Sequence, residues 1–68
     1  MFELTEKHYS NMHDIINYTA SAMKVSGYSY VDIQDFLVDA TSGDNNYLID
    51  LCLDMLDECN KAQGYYNV

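Results

Sequence analysis

The sequence predicts a single all-α domain, a compact three-helix bundle. A chain of 68 residues makes one domain at most, spanning 1–68, and its 49% hydrophobic content is enough for a core. Proline is absent, and three glycines, Gly27, Gly43 and Gly64, each follow a segment with apolar residues every three or four positions. Glycine is common just past helix ends because it adopts the left-handed conformation without strain. The helices are therefore expected at about 5–25, 30–40 and 45–63.

The first predicted helix, 5–25, has two faces with apolar residues. We expect its main stripe to face the core, with these members: Tyr9, Met12, Ile16, Ala20 and Met23. A second, half-apolar face holds Ile15, Thr19 and Ala22, which a neighbour could also cover. Ser10 is a candidate break point, because Ser and Asn favour helix caps over helix interiors.

The second predicted helix, 30–40, has the clearest start in the chain. Ser29 is a good N-cap, and Asp32, three residues on, suits the positive end of the helix dipole. Tyr28 and Ile33 have the spacing of a hydrophobic staple. The buried stripe is then expected to be Ile33, Phe36, Leu37 and Ala40.

The third predicted helix, 45–63, is capped by Asp44 or Asn45 and contains "LIDLCLDMLDEC" at 48–59, where every residue is apolar or acidic. On a helical projection its acids occupy an arc of about 100° and its apolar residues an arc of about 200°. So wide an apolar arc must lie between both other helices or also cover a partner. The predicted core is Met12, Ile16, Ala20, Met23, Ile33, Phe36, Leu37, Leu48, Leu51, Cys52, Met55 and Cys59.

The charge of the chain excludes some classes of partner. Eleven Asp and Glu against three Lys give a net charge of −8 and a pI near 4.1. Direct nucleic-acid binding needs cations to neutralise phosphates, and an anionic membrane surface would repel this chain. The simplest interpretation of the acids is that they keep the protein soluble.

The cysteines and the apolar segments predict a cytoplasmic location. Cys52 and Cys59 are seven residues apart, two helical turns or about 10.5 Å of rise, which is beyond disulfide reach. They are expected to be buried free thiols in a reducing compartment. The start "MFELTEKHYS" lacks a signal-peptide pattern, and Asp interrupts the apolar runs, so we expect the cytoplasm, or the host cytoplasm if the protein is viral.

No residues form a recognisable catalytic, metal or cofactor site in the sequence. His8 and His13 are five apart and off each other's helical face, so they do not converge as zinc ligands. The segment 39–50 lacks the glycine at the sixth position and the final Glu of a calcium loop. Cysteines on the apolar arc would stay protonated. We therefore expect a protein that is not an enzyme and uses no cofactor.

Carboxylates and tyrosines are the candidate binding groups. Asp32, Asp35 and Asp39 share one face of the second helix, and Asp57 and Glu58 lie near the negative end of the third helix, with only Lys61 as a local partner. A partner with a basic surface would suit them. Two tyrosines complete the predicted contact set, which is Asp32, Asp35, Asp39, Asp50, Asp54, Asp57, Glu58, Tyr30 and Tyr47. Tyr65 and Tyr66 are either exposed as well or folded onto the helices.

In size, acidity and lack of catalytic motifs the chain resembles the small acidic inhibitors that bacteriophages make against restriction enzymes, CRISPR complexes and host polymerases, some of which mimic DNA. The resemblance implies a phage protein that blocks a basic site of a nucleic-acid-handling host protein.

Residues 27–53, "GYSYVDIQDFLVDATSGDNNYLIDLCL", resemble the last two helices of a ubiquitin-associated (UBA) domain: a Gly-aromatic loop, a short helix, a turn and a leucine-rich helix. Ser26 stands where that family usually has Met, and the turn is about two residues longer. The resemblance implies a protein-interaction module in which Gly27, Tyr28, Leu53 and Leu56 contact ubiquitin. A further alternative is a homo-oligomer formed through the wide apolar arc of the third helix.

Overall fold

The structure, a computed structural model, describes residues 1–65 and is all-α over that range, as the sequence predicts. Its four helices are α1 (Glu6–Tyr9), α2 (Met12–Val25), α3 (Tyr30–Ala40) and α4 (Asn45–Ala62). The helix count differs from the predicted three because the first predicted helix is divided in two. None of the helices in residues 1–65 is long and apolar enough to cross a membrane.

The division between α1 and α2 occurs at Ser10 and Asn11, where the sequence indicates a candidate break. The Ser10 hydroxyl donates to the Lys7 carbonyl oxygen at 2.7 Å and closes the short α1. The Asn11 side chain accepts from the backbone N–H of His13 at 2.9 Å and caps α2. Both side chains take backbone groups that a continuous helix would pair internally, so the chain turns here.

The starts of α3 and α4 are capped as predicted. Ser29 Oγ accepts from the backbone N–H of Asp32 at 3.1 Å, and Asp44 Oδ1 accepts from that of Tyr47 at 2.9 Å. Gly27 and Gly64 adopt positive φ values of 95° and 79°. Gly43 is required for a different reason: a Cβ there would lie 2.7 Å from the Tyr47 ring.

The core has two layers, and these fix the helix directions. Ile15 near the start of α2 packs with Leu48 near the start of α4 and with Ala40 at the end of α3. At the other end, Met23 of α2 packs with Cys59 of α4. Thus α2 and α4 run parallel, and α3 runs antiparallel to both.

The buried face of α2 differs from the predicted stripe. Ile15, Thr19, Ala22 and Met23 are buried, whereas three of the predicted residues, Met12, Ile16 and Ala20, are only half-buried and Tyr9 is exposed. The core direction is rotated by about 70° from the predicted one. Thr19 tolerates burial because its hydroxyl donates to the Ile15 carbonyl at 2.8 Å.

Most of the wide apolar arc of α4 is covered within the chain by three neighbours, which are α2, α3 and a segment at the start of the chain. The predicted core residues Leu48, Cys52 and Cys59 are buried, and Leu51 and Met55 are half-buried in the same clusters. The third neighbour is an extended segment, residues 1–4, which we call the N-terminal strap. Its Phe2 and Leu4 pack on the cluster that contains Leu56, which is buried too although the sequence does not place it in the core.

Asn60 holds the N-terminal strap against α4. The backbone N–H of Phe2 donates to Asn60 Oδ1 at 2.7 Å, and Asn60 Nδ2 donates to the Phe2 carbonyl at 2.9 Å. The Phe2 ring meets the rings of Tyr18 and Tyr65 edge-on, with centroids 6.4 and 6.0 Å apart. The strap therefore pairs its backbone with a buried amide and half-buries its own aromatic side chain.

Candidate interaction surface

The carboxylates of α3 form an exposed row. Asp32, Asp35 and Asp39 lie within about 60° of one another on the helix surface. No Lys or Arg lies within ion-pair distance of them among residues 1–65, and α3 itself contains no basic residue. The first-turn position of Asp32 is favourable for the helix dipole, but Asp35 and Asp39 gain nothing from it.

Tyr47 connects one end of this row to α4. Its hydroxyl donates to Asp39 Oδ1 at 2.8 Å, so the structure brings together two predicted contact residues from different helices. The hydrogen bond to Asp39 is the main cause of a raised Tyr47 pKa, with smaller contributions from desolvation and from the carboxylate charge. A phenolate here would lose the donated bond and stand beside a negative charge.

Tyr28 lies where the start of α3 approaches the end of α4. Its pKa is raised chiefly by burial, and Cys59, Glu58 and Asp32 add to that rise. Asp32 of α3 and Glu58 of α4 therefore both act on the same hydroxyl group. Acids of the two helices therefore approach each other where α3 meets α4, with Tyr47 at one end of the α3 row and Tyr28 at the other.

We call this surface the acidic face. It consists of three residues of α3 and the two α4 carboxylates turned furthest toward α3: Asp32, Asp35, Asp39, Asp54 and Glu58. The other two predicted α4 acids, Asp50 and Asp57, are turned further from α3.

Lys61 partly neutralises the end of α4. Its Nζ lies 3.4 Å from Asp57 Oδ2 and 3.5 Å from Glu58 Oε1. The charge of Glu58 is the main cause of the raised pKa of Lys61. These side chains are about half exposed, so solvent screens the pairs and they contribute little to stability. Asp57 and Glu58 are thus less isolated than the α3 row or Asp54.

The residues implied by the UBA resemblance do not form one apolar surface. Leu56 is only 2% exposed because it faces the N-terminal strap, while Leu53 is 42% exposed at the rim of the cleft between α4 and that strap. Gly27 and Tyr28 line a different depression, beside Asp32 and Ala62. Tyr28 is half-buried and packs on the core.

The predicted exposed tyrosines have different surroundings. Tyr30 is the most exposed, at 71%, and Tyr47 is exposed although its hydroxyl is paired. Tyr65 is exposed but rests one edge against the Phe2 ring. Tyr66 lies outside the described residues.

Both cysteines are free and buried, as expected from their spacing. Burial raises their pKa values, while two hydroxyl groups act in the opposite direction: Thr19 of α2 on Cys52, and Ser26, just after α2, on Cys59. Ser26 Oγ is itself buried without a well-formed hydrogen bond in the described part of the chain. Buried, protonated thiols are poor nucleophiles. No three His, Cys, Asp or Glu residues in 1–65 are arranged to hold a metal ion.

Two exposed valines of α3 are not among the predicted contact residues. Val31 and Val38 are 65% and 69% exposed and point away from the core stripe. Their seven-residue spacing, off the stripe of Ile33, Phe36, Leu37 and Ala40, is the sequence signal that marks them.

No family model matches the chain, and neither a curated protein nor a solved structure shows significant similarity to it.

Proposed function

We propose that this protein is a non-enzymatic binding protein, an inhibitor whose acidic face occupies a basic site on a nucleic-acid-handling protein. One observation carries the proposal. Four carboxylates of two adjacent helices, Asp32, Asp35, Asp39 and Asp54, have no ion pair in residues 1–65, and the α3 row meets α4 at both ends, through Asp39 with Tyr47 and through Asp32 near Glu58.

The arrangement suits a site that normally binds phosphates. Residues three and four apart on a helix stand about 5–6 Å from each other, so each row presents negative charges at short, repeated intervals. A basic channel would attract such a surface over long distances and gain pairing energy on contact. The exposed Tyr30, another predicted contact residue, lies at the start of α3 but on the other side of that helix from the carboxylate row.

Two matched variants distinguish the acidic-face proposal from the competing interpretation that the acids only confer solubility. One is D32N/D35N/D39N, which neutralises the α3 row. The other is E3Q/E6Q/D14N, which neutralises three exposed acids outside α3 and α4. Each variant removes three negative charges, and each includes an acid in the first turn of a helix. Net charge changes equally in both, so only position differs.

The test is capture of nucleic-acid-binding proteins from a bacterial lysate on the immobilised chain, with duplex DNA or RNA as the eluting competitor. We expect capture by the unmodified protein and by E3Q/E6Q/D14N, and loss of capture by D32N/D35N/D39N. Binding should also weaken at least tenfold between low and high salt. Equal loss in both variants would mean that net charge rather than the acidic face drives capture, and this would contradict the proposal, as would elution that ignores nucleic acid and salt. Absence of capture by the unmodified protein would support the solubility interpretation.

The phage origin and the location in the cytoplasm of a host belong to the same proposal, supported by the free thiols and the acidic surface.

The UBA-type alternative loses a contact residue because Leu56 is buried. Titration with ubiquitin would test whether Gly27, Tyr28 and Leu53 bind it. The homo-oligomer alternative has less apolar surface to use, because the N-terminal strap packs on the cluster that contains Leu56 and leaves Leu53 exposed. Sedimentation at high protein concentration would test it directly.

A further inference from the structure

The outward face of α3 carries an apolar ridge, which consists of Val31 and Val38. These side chains are 65% and 69% exposed. The ridge lies opposite the stripe that α3 presents to the core. β-Branched residues lower helix propensity, so valine at two solvent-facing positions does not serve the helix itself.

Carboxylates border the ridge in a repeated pattern. The pair Val31 and Asp32 recurs seven residues later as Val38 and Asp39, and Asp35 lies one turn from each valine. Successive residues are about 100° apart around the helix, so both pairs place their acid on the same side of the ridge. An apolar strip with a row of negative charge along one edge results.

We propose that the α3 ridge binds an amphipathic helix of the partner protein, with the partner's apolar stripe on Val31 and Val38 and its Lys or Arg residues on Asp32, Asp35 and Asp39. This inference rests on the proposed function and specifies the form of the basic site. It adds an apolar component to a contact that the acidic face alone would make purely electrostatic.

The spacing of the valines favours a helical partner over an extended one. Seven residues of α3 give a rise of about 10.5 Å, which matches the seven-residue repeat of a helix lying alongside. In a strand, side chains on one face recur about every 6.6 Å, so none falls at 10.5 Å. A helix can therefore contact both valines with equivalent positions.

Charge complementarity decides which kind of molecule fits. A second copy of this chain would bring a net charge of −8 against a ridge bordered by carboxylates, and α3 offers no Lys or Arg in return. Nucleic acid and anionic bilayers are repelled for the same reason. A basic amphipathic protein segment satisfies both the apolar strip and the acidic edge.

The test uses a synthetic Leu/Lys helix of about 18 residues, five turns, with its leucines in one stripe. A second peptide of identical composition has its leucines scattered around the helix. We expect the full chain to bind the striped peptide about tenfold more tightly than the scattered one. The variant V31T/V38T keeps the β-branched shape but replaces two methyl groups by hydroxyls, and should lose most of that tenfold preference.

The control variant is V25T, because Val25 is 67% exposed on α2 and away from the ridge. It should retain the preference, and circular dichroism should show unchanged helix content in both variants. Equal binding of both peptides, or unchanged binding by V31T/V38T, would overturn the inference. Self-association that V31T/V38T abolishes would also overturn it, in favour of a second copy as the occupant.

The outcome is separable from that of the proposed function. If D32N/D35N/D39N abolishes capture from the lysate while V31T/V38T captures normally, the acidic-face proposal stands and the amphipathic-helix inference fails. If the valine variant loses the striped peptide but neither variant affects capture, the ridge binds helices and the acidic-face proposal fails.

Discussion

The two sides of α4 differ in how completely the chain covers them. On one side the N-terminal strap closes over Leu56, and the backbone of Phe2 pairs with the buried Asn60 amide. On the other side, toward α3, carboxylates have no ion pair in residues 1–65, and the valines of the ridge stay in solvent on the outward face of α3. One side of α4 is occupied by the protein's own chain, and the other is the one to which we assign a partner in the proposed function.

The largest expected effect tests the covered side. Leu56→Ala should lower the free energy of unfolding by about 2–5 kcal/mol because it leaves a cavity under the strap. Leu53→Ala is the matched control, three residues away at the rim of the same cleft, and should cost less than about 1 kcal/mol. Urea unfolding measures both. Similar losses in the two variants would mean that the strap does not cover Leu56 in solution.

A somewhat smaller effect tests the hydrogen bonds of the strap. Asn60→Ala removes both bonds to the Phe2 backbone and should cost about 1–3 kcal/mol. The control is Asn17→Ala, in which an exposed Asn inside α2 is replaced by a better helix former, and stability should change by less than about 0.5 kcal/mol.

The measurement for this pair is urea unfolding together with hydrogen exchange of the Phe2 amide. We expect faster exchange in Asn60→Ala and no change in Asn17→Ala, because only the first loses the acceptor of that amide. Slow exchange that persists in Asn60→Ala would show that the strap is held by packing alone, and the contrast between the two sides of α4 would then be weaker.

The elements set by local chemistry could be predicted from the sequence. Ser29 and Asp44 cap α3 and α4 through bonds to residues three positions on, which any helix start of that composition can form. The exposure of the α3 row follows equally from helical spacing. For the candidate site, the sequence therefore identified the acids and Tyr47, but the bond from Tyr47 to Asp39 required the packing of two helices.

The elements that depend on distant residues could not be predicted. The strap has no periodicity, and its acceptor Asn60 is 58 positions away along the chain. The core face of α2 turns toward Ile15 and Thr19 because α3 and α4 pack there, whereas hydropathy alone ranks Ile16 above Thr19. Val31 and Val38 differ from these, because their spacing off the apolar stripe of α3 already indicates exposure.

The smallest expected effect concerns the open side, where Tyr47 donates to Asp39. The pKa of Tyr47 is raised in the folded protein, first by this bond. Its contribution to stability is therefore fully present below the unfolded pKa near 10 and is lost as the pH rises through the higher folded pKa. Absorbance of tyrosinate against pH, with Tyr47→Phe to identify the contribution of this residue, measures the titration.

Asp39→Asn and Asp35→Asn separate the bond from the general acidity of the face. Both remove one negative charge from the same row of α3, but only Asp39 accepts the Tyr47 hydroxyl. Asp39→Asn should lower the pKa of Tyr47 toward its ordinary value more than Asp35→Asn does. Equal shifts would mean that the summed charge of the row alone governs the pKa of Tyr47, and that the hydrogen bond between α3 and α4 does not form in solution.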